Sequence, residues 1–374
     1  MSLDIDVQAS LEAIKNNTFK LTWTRLSQYQ DCEAKWLSSS FLKFVDPISS
    51  AREDSRAIAG WAIQKIFEHL INLRKYRDPQ SLTWLKEETA KLLDTIIFIQ
   101  SDQYKIPDSR HFFKTKEGQQ RIEQTKLDPK IGELQCMFLD EVFFAKVWGT
   151  TQNLKDKINS LYATILEKFK TLGINLDQII AEPWIKAKIP NVGALALGRI
   201  DFLFDPHSPF INMNNLGPSP IVMDGKFNTN EWTKVEQLQF YGTILNLQYN
   251  RIPKVMSLID WGKAKIISYR YDPSYIKKMI EFSSQILFIQ NLVKEYLETL
   301  HSSGTKTIEA QQIPIKWNPT RDTCMFCDLR KHCDIRESAG IKTEELYNIV
   351  ADRQAKKELR AMHPDPSTPV DITL

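Results

Sequence analysis

The stretch Ile221-Val-Met-Asp-Gly-Lys-Phe227 sets a carboxylate and an ammonium two residues apart in an apolar run. In a strand, side chains alternate between faces. Asp224 and Lys226 therefore share one face, and Met223, Gly225 and Phe227 share the other. Charges on so apolar a strand are costly unless something pairs with them. A divalent cation would answer the carboxylate, and a substrate phosphate would suit the ammonium. Gly198-Arg-Ile-Asp-Phe-Leu-Phe204 supplies a second carboxylate, Asp201, on the preceding strand. If the two strands form a hairpin, Asp201 and Asp224 lie side by side. Neighbouring carboxylates repel, which favours a bound Mg²⁺ or Mn²⁺. Hard oxygen ligands with open positions orient phosphate and activate water. The competing structural explanation is a salt bridge on an ordinary sheet, because Asp-x-Lys occurs often by chance.

The cysteines are a second candidate for chemistry. There are five: Cys32, Cys136, Cys324, Cys327 and Cys333. An odd number in a long chain argues against a disulfide framework, and three crowded near the C-terminal end argue for metal or cluster ligation. Four thiolates hold either Zn²⁺ or a [4Fe–4S] cluster, and spacing does not separate the two. One C-x2-C pair with two single cysteines mildly disfavours a simple zinc ribbon. Cys136, in Glu133-Leu-Gln-Cys-Met-Phe-Leu139, fits a buried core position.

The composition frames these candidates. The 374 residues allow two or three domains. A hydrophobic fraction of 42% and a charged fraction of 25% are those of a globular chain with a sizeable core. A net charge of +3 permits a nucleic-acid partner without requiring one. No apolar run is long enough for a transmembrane helix, so no membrane association is expected. The start, MSLDIDVQAS, lacks the basic and apolar regions of a secretory signal. An intracellular location follows as the expectation, cytoplasmic or nucleoid-associated.

The elements that must position the candidates follow from periodicity. A short helix is expected in the first 20 residues, and another over 23–36, where Trp23, Leu26, Tyr29 and Trp36 recur near helical spacing. Residues 55–77 form a long amphipathic helix with Ile58, Ala62, Ile66 and Leu70 on one face and His69 beside it. Residues 82–172 are mostly helical with a break around 105–130. Strand-like alternation begins near 181 and continues through 221–227, 254–261 and 265–272, interrupted by a helix over 233–249. A long helix over 274–300, the cysteine segment, a last helix near 342–361 and a loose Pro-rich tail complete the chain. The segmentation is 1–80 (helical part with Cys32 and His69), 81–178 (helical insert), 179–300 (core), 301–340 (cysteine segment) and 341–374 (helix and tail).

The order of these features resembles the PD-(D/E)XK nuclease superfamily in its RecB-like branch. That branch includes CRISPR-associated adaptation nucleases, the AddB nuclease domain and the exonuclease V family. The family's G-x-I-D is matched by Gly198 to Asp201, its D-x-K strand by Asp224 to Lys226, and its Q-x-x-x-Y helix by Gln237 to Tyr241. Its upstream glutamate is matched by Glu182, and its helical histidine by His69, nine residues after Gly60. Its iron–sulfur members place one cysteine before the core and C-x2-C-x5-C after it. Cys32, followed by Cys324, Cys327 and Cys333, fits that order, with Glu33 in place of the family's proline. The resemblance covers residues 23–75 and 181–335 and leaves 82–172 unmatched.

The resemblance implies an α/β fold: a restriction-endonuclease-like core, with a central mixed sheet flanked by helices, plus a helical insert. It implies a metal-dependent DNA nuclease acting on single strands or free ends, as an exonuclease. His69, Asp201 and Asp224 would hold Mg²⁺ or Mn²⁺, with the Gly225 carbonyl as a further ligand. Lys226 would orient water or stabilise phosphate charge. Gln237 and Tyr241, one helical turn apart, would position the strand or Lys226. Glu182 would tune the metal or Lys226. The four cysteines would hold a structural [4Fe–4S] cluster, with Zn²⁺ as the alternative. Linking Cys32 to Cys324 would order the terminal segments much as a cross-link does. Lys234, Lys263, Lys265 and Arg270 are candidates for phosphate contact, and Trp232 for stacking on a base. Two rival functions remain open: a catalytically silent nucleic-acid-binding or assembly subunit with the same fold, and a zinc or iron–sulfur scaffold.

Overall fold

The computed structural model describes residues 4–16, 19–45, 57–99, 138–206, 216–227, 232–253 and 255–318, with isolated positions that include Cys324 and Cys333. The expected C-terminal helix near 342–361, Cys136 and Cys327 lie outside the described residues. The chain is a mixed α/β protein whose described residues form two units, each discontinuous in sequence. One draws on 1–48, 186–198 and 274–368, the other on 49–185 and 199–273, together with 369–374. Among the described residues, no helix is long and apolar enough to cross a membrane.

The first unit opens with strand β1 (Asp4–Asp6) and helix α1 (Val7–Lys15). The carboxylate of Asp6 accepts from the Ala9 N–H at 2.9 Å and caps the helix, which places the expected helix start at Val7. After β2 (Lys20–Leu21) come α2 (Trp23–Asp31) and α3 (Glu33–Ser40). The single helix expected over 23–36 is therefore two. Cys32 separates them in extended backbone: its N–H ends α2 on the Gln28 carbonyl, and its own carbonyl accepts from Trp36 to begin α3.

The second unit begins with α4 (Ala57–Asn72), followed by α5 (Ser81–Leu93). Strands β3 (Ile97–Ile99) and β4 (Phe138–Asp140) pair in parallel. Helices α6 (Glu141–Trp148) and α7 (Thr151–Thr171) follow. The 81–178 stretch is thus not purely helical. Leu85, Leu92, Leu154, Ile158 and Tyr162 join the same apolar core as α4 and the central sheet.

That sheet is built from β5 (Ile179–Ala181), β8 (Phe202–Phe204) and β9 (Ile221–Lys226), then β10 (Val255–Asp260) and β11 (Lys265–Tyr269). Its order is β11-β10-β9-β8-β5. Only β9 and β10 run parallel, so the sheet is mixed as expected. Helix α8 (Trp232–Tyr249) makes the crossover that a parallel pair requires. The strands β6 (Trp184–Lys188) and β7 (Leu195–Arg199) belong to a separate sheet of order β2-β7-β6. In the first unit, α9 (Tyr275–Ser302) packs on α1, and β12 (Thr307–Glu309) pairs antiparallel with β1.

The two faces of the central sheet have different jobs. Ile221, Met223, Phe202 and Phe204 bury into the core with α4, α5 and α7. Gly225 faces Trp261, whose ring stacks on Phe67 of α4 at 5.3 Å. A methyl group at Gly225 would meet Trp261 Nε1 at 2.5 Å, so only glycine fits there. A methyl group at Gly60 would stand 2.9 Å from Phe227 Cβ, which explains a glycine in the middle of α4. The opposite face, with Val222 and Asp224, lies under α8.

Candidate active site

Register brings the acids together. Phe202 pairs with Met223 and Leu203 with Val222, so continuing the antiparallel ladder sets Asp201 opposite Asp224. The β5 ladder extends the row: Ala181 pairs with Phe202, and the Glu182 N–H donates to the Asp201 carbonyl at 2.8 Å. Glu182, Asp201 and Asp224 thus stand abreast at the ends of three neighbouring strands.

The side chains converge on Lys226. Its Nζ lies 2.6 Å from Asp224 Oδ2 and 3.6 Å from Asp201 Oδ2. Asp201 is held in place by the Gly225 N–H, which donates to its Oδ2 at 2.8 Å. Asp224 is wholly buried. Its other oxygen accepts from Gln237 Nε2 at 3.0 Å, and the same amide nitrogen donates to Tyr241 Oη at 3.0 Å. Gln237 and Tyr241 face the site one turn apart, and of the two expected partners, the strand or Lys226, Gln237 holds the strand through Asp224.

The electrostatics set protonation states. Burial alone would depress the Lys226 ammonium, but Asp224 and Asp201 outweigh it and raise its pKa above the usual lysine value. Lys226 is therefore a fixed cation at neutral pH. Burial, reinforced by the charge of Asp224, likewise raises the Tyr241 hydroxyl, which stays protonated.

Glu182 has cationic partners of its own. Its backbone is left-handed, with φ of 50°, unusual for a residue with a side chain. Its carboxylate meets Lys65 Nζ at 2.6 Å and Arg199 Nη1 at 3.0 Å, and Lys65 also binds Glu68 at 2.7 Å. Burial raises the Glu68 carboxyl, Lys65 opposes that shift, and Glu182 adds to it. Lys65 and Glu68 are participants that motif reasoning missed. The available signal was three ionisable residues, Lys65, Glu68 and His69, on a helix that is otherwise nearly all apolar.

His69 is buried on α4, one turn beyond Lys65 and on the same stripe of the helix. Among the described residues, no group of three or more His, Cys, Asp or Glu side chains is assembled as a metal site. The two aspartates come together, and no such grouping with His69 is formed. Of the other basic candidates, Lys263 pairs with Asp260 at 3.1 Å, and Arg270 gives its carbonyl to Gln239. The side chains of Trp232 and Lys234 lie outside the described residues.

Among the described residues, Cys32, Cys324 and Cys333 belong to the first unit. Cys324 is buried, and Cys32 and Cys333 are half-buried. Beside Cys32, the carboxylate of Glu33 accepts from the Lys316 N–H at 2.8 Å, which ties the α2–α3 junction to the segment leading to Cys324.

Comparison with known proteins adds little. No family model matches the chain, and no curated protein matches it. Among solved structures it is similar to the crystal structure of SSO0001, at 12% identity, over 68% of this chain and 97% of that one. The TM-score is 0.24, too slight a superposition to decide the fold.

Proposed function

We propose that the protein is a metal-dependent DNA nuclease with a PD-(D/E)XK core, acting as an exonuclease on single-stranded DNA. The observation that carries this reading is the convergence of Asp201 and Asp224, from paired strands, on the Lys226 ammonium. A buried acid pair with one neutralising cation is costly as a purely structural device. Its donor set suits a hard cation: carboxylate oxygens at the ends of neighbouring strands, with a backbone amide and a glutamine fixing their rotamers.

Asp201 and Asp224 would hold Mg²⁺ or Mn²⁺, with His69 and the Gly225 carbonyl as further candidates. When bound, the cation supplies a Lewis acid and a water of lowered pKa. The chain's own residues do the rest. Gln237 fixes the Asp224 carboxylate and leaves its second oxygen toward Lys226. Because Lys226 keeps its proton, it serves as a cation for charge building on the phosphate rather than as a base. Glu182, clamped by Lys65 and Arg199, holds the end of β5 against Asp201 through the backbone.

The first unit supports a [4Fe–4S] reading of Cys32, Cys324, Cys327 and Cys333. The link between Glu33 and Lys316 brings the flanks of the first cysteine and the last three into one unit. Zinc analysis against visible absorption separates the cluster from Zn²⁺.

The test of the nuclease reading is cleavage of end-labelled single strands with free or blocked ends, with Mg²⁺ or Mn²⁺. Asp224→Ala is expected to abolish cleavage in a folded protein. Undiminished cleavage by this variant would refute the site.

A further inference from the structure

Trp184 is 68% exposed, although its strand neighbours Ile185 and Ala187 are buried. Leaving an indole in water forgoes one of the largest apolar burials a side chain can make. The Arg199 guanidinium lies over the Trp184 ring, 5.7 Å from its centroid. Its Nη1 is also fixed at 3.0 Å by Glu182, while much of the rest of the group stays exposed. A planar cation pinned at one edge and stacked at one face keeps donors free for an anion.

The location gives this pair its meaning. Trp184 follows Glu182 by two residues, and Arg199 precedes Asp201 by two. The Ile200 N–H donates to the Pro183 carbonyl at 3.2 Å, so the two segments run together from the acid row outward. Two residues of extended chain span roughly 7 Å. The exposed pair therefore stands immediately beside the proposed catalytic acids.

We propose that Trp184 and Arg199 form a platform for single-stranded DNA: a base stacks on the open face of Trp184, and Arg199 contacts the adjoining phosphate. The platform takes its substrate class from the nuclease reading. Stacking on an exposed aromatic needs an unpaired base with a free face, which a duplex does not offer. Glu182 thereby acquires a second task, because the carboxylate that meets Lys65 also holds the arginine at the indole.

The experiment measures binding of a fluorescein-labelled oligothymidine of about 15 nucleotides, a length near the upper range of single-strand sites. The full-length protein is used in EDTA, so that no cleavage occurs. Trp184→Ala is expected to weaken binding about tenfold or more and Trp184→Phe much less, since base–aromatic stacking carries effects of that size. Arg199→Ala should lower the slope of affinity against salt by about one counterion. Scanning one abasic position through the strand should cost the wild type affinity at one place and cost Trp184→Ala nothing there. Duplex binding should not change in Trp184→Ala. Wild-type affinity in Trp184→Ala, or equal losses on duplex and single strand, would overturn the platform. If Trp184→Ala loses binding while no cleavage of any strand is seen with Mg²⁺ or Mn²⁺, the platform stands and the nuclease reading falls; if Asp224→Ala still cleaves, the assignment of the site to Asp224 falls. If Asp224→Ala is inactive and Trp184→Ala binds normally, the platform alone falls.

Discussion

One nitrogen of Gln237 serves two residues: its Nε2 lies 3.0 Å from Asp224 Oδ1 and 3.0 Å from Tyr241 Oη. The helix after β9 thus sets the orientation of a carboxylate that has no exposure of its own. Gln237→Ala frees Asp224 to rotate. On the proposed nuclease reading, the expected outcome is a loss of about 10- to 100-fold in metal affinity or in kcat, the usual cost of removing a ligand's orienting partner, with KM for DNA little changed. Tyr241→Phe, which removes only an acceptor, should cost several-fold less. Steady-state kinetics with metal titration separate the two.

Lys226 neutralises a fully buried carboxylate. Lys226→Met leaves Asp224 uncompensated and is expected to destabilise the protein by about 3 kcal/mol at neutral pH without divalent metal. Added Mn²⁺ should then raise the melting temperature of this variant more than that of the wild type, because the ion meets no competing ammonium. Equal shifts in both proteins would show that Lys226 and the metal do not share the site.

Gly225 is packed against the Trp261 ring. Gly225→Ala forces the indole or the strand to move and should cost about 1–3 kcal/mol in urea unfolding. Trp261→Phe makes room, so the double variant should be more stable than the sum of the two single changes predicts. Strict additivity would mean that the strand, not the ring, gives way.

Tyr162 is buried in the second unit and hydrogen-bonded to Thr89. Burial raises its hydroxyl pKa far above the ordinary tyrosine value, and Thr89 partly opposes the shift. The folded state thus keeps a proton that the unfolded chain releases above about pH 10. Stability from this group is complete below that pH and falls as pH rises beyond it, by about 1.4 kcal/mol per unit. Tyr162→Phe should flatten the decline between pH 9 and 11. An unchanged slope would place the alkaline sensitivity elsewhere.

On the proposed [4Fe–4S] reading, anaerobically purified protein absorbs violet-blue light, and Cys32→Ser and Cys324→Ser are each expected to abolish that absorption. They should also lower the cooperativity of unfolding in the first unit. Colourless wild-type protein with stoichiometric zinc would replace the cluster by Zn²⁺.

Much of the site was legible because it depends on short periods. Two-residue alternation put Asp224 and Lys226 on one face, and the four-residue helical repeat put Gln237 and Tyr241 together. The hairpin condition for Asp201 was met by a ladder whose register the apolar residues Phe202 and Met223 enforce from the buried side. What was not legible depends on contacts distant in sequence. Lys65 meets Glu182 across 117 positions, and nothing in either segment alone announces the other. The left-handed backbone at Glu182 also escapes periodicity, since it breaks the alternation on which strand reading rests. The split of 23–36 into two helices was hidden because Cys32 interrupts hydrogen bonding without interrupting the apolar pattern. The β3–β4 pair is three residues per strand, too short for any period to register.

The pairing of β1 with β12 has a consequence for synthesis on the ribosome. Asp4–Asp6 has its strand partner about 300 residues later, at Thr307–Glu309, and α1 packs on α9. At a translation rate of roughly 5–20 residues per second, the first strand waits roughly 15–60 s for its mate. During that interval the apolar side of α1, with Val7, Leu11 and Ile14, has no cover from α9. The segments of the second unit up to Pro273 emerge first and can consolidate in the meantime. The nascent chain thus carries an unpaired strand at Asp4–Asp6 and an uncovered apolar helix face until Thr307–Glu309 and α9 have been made.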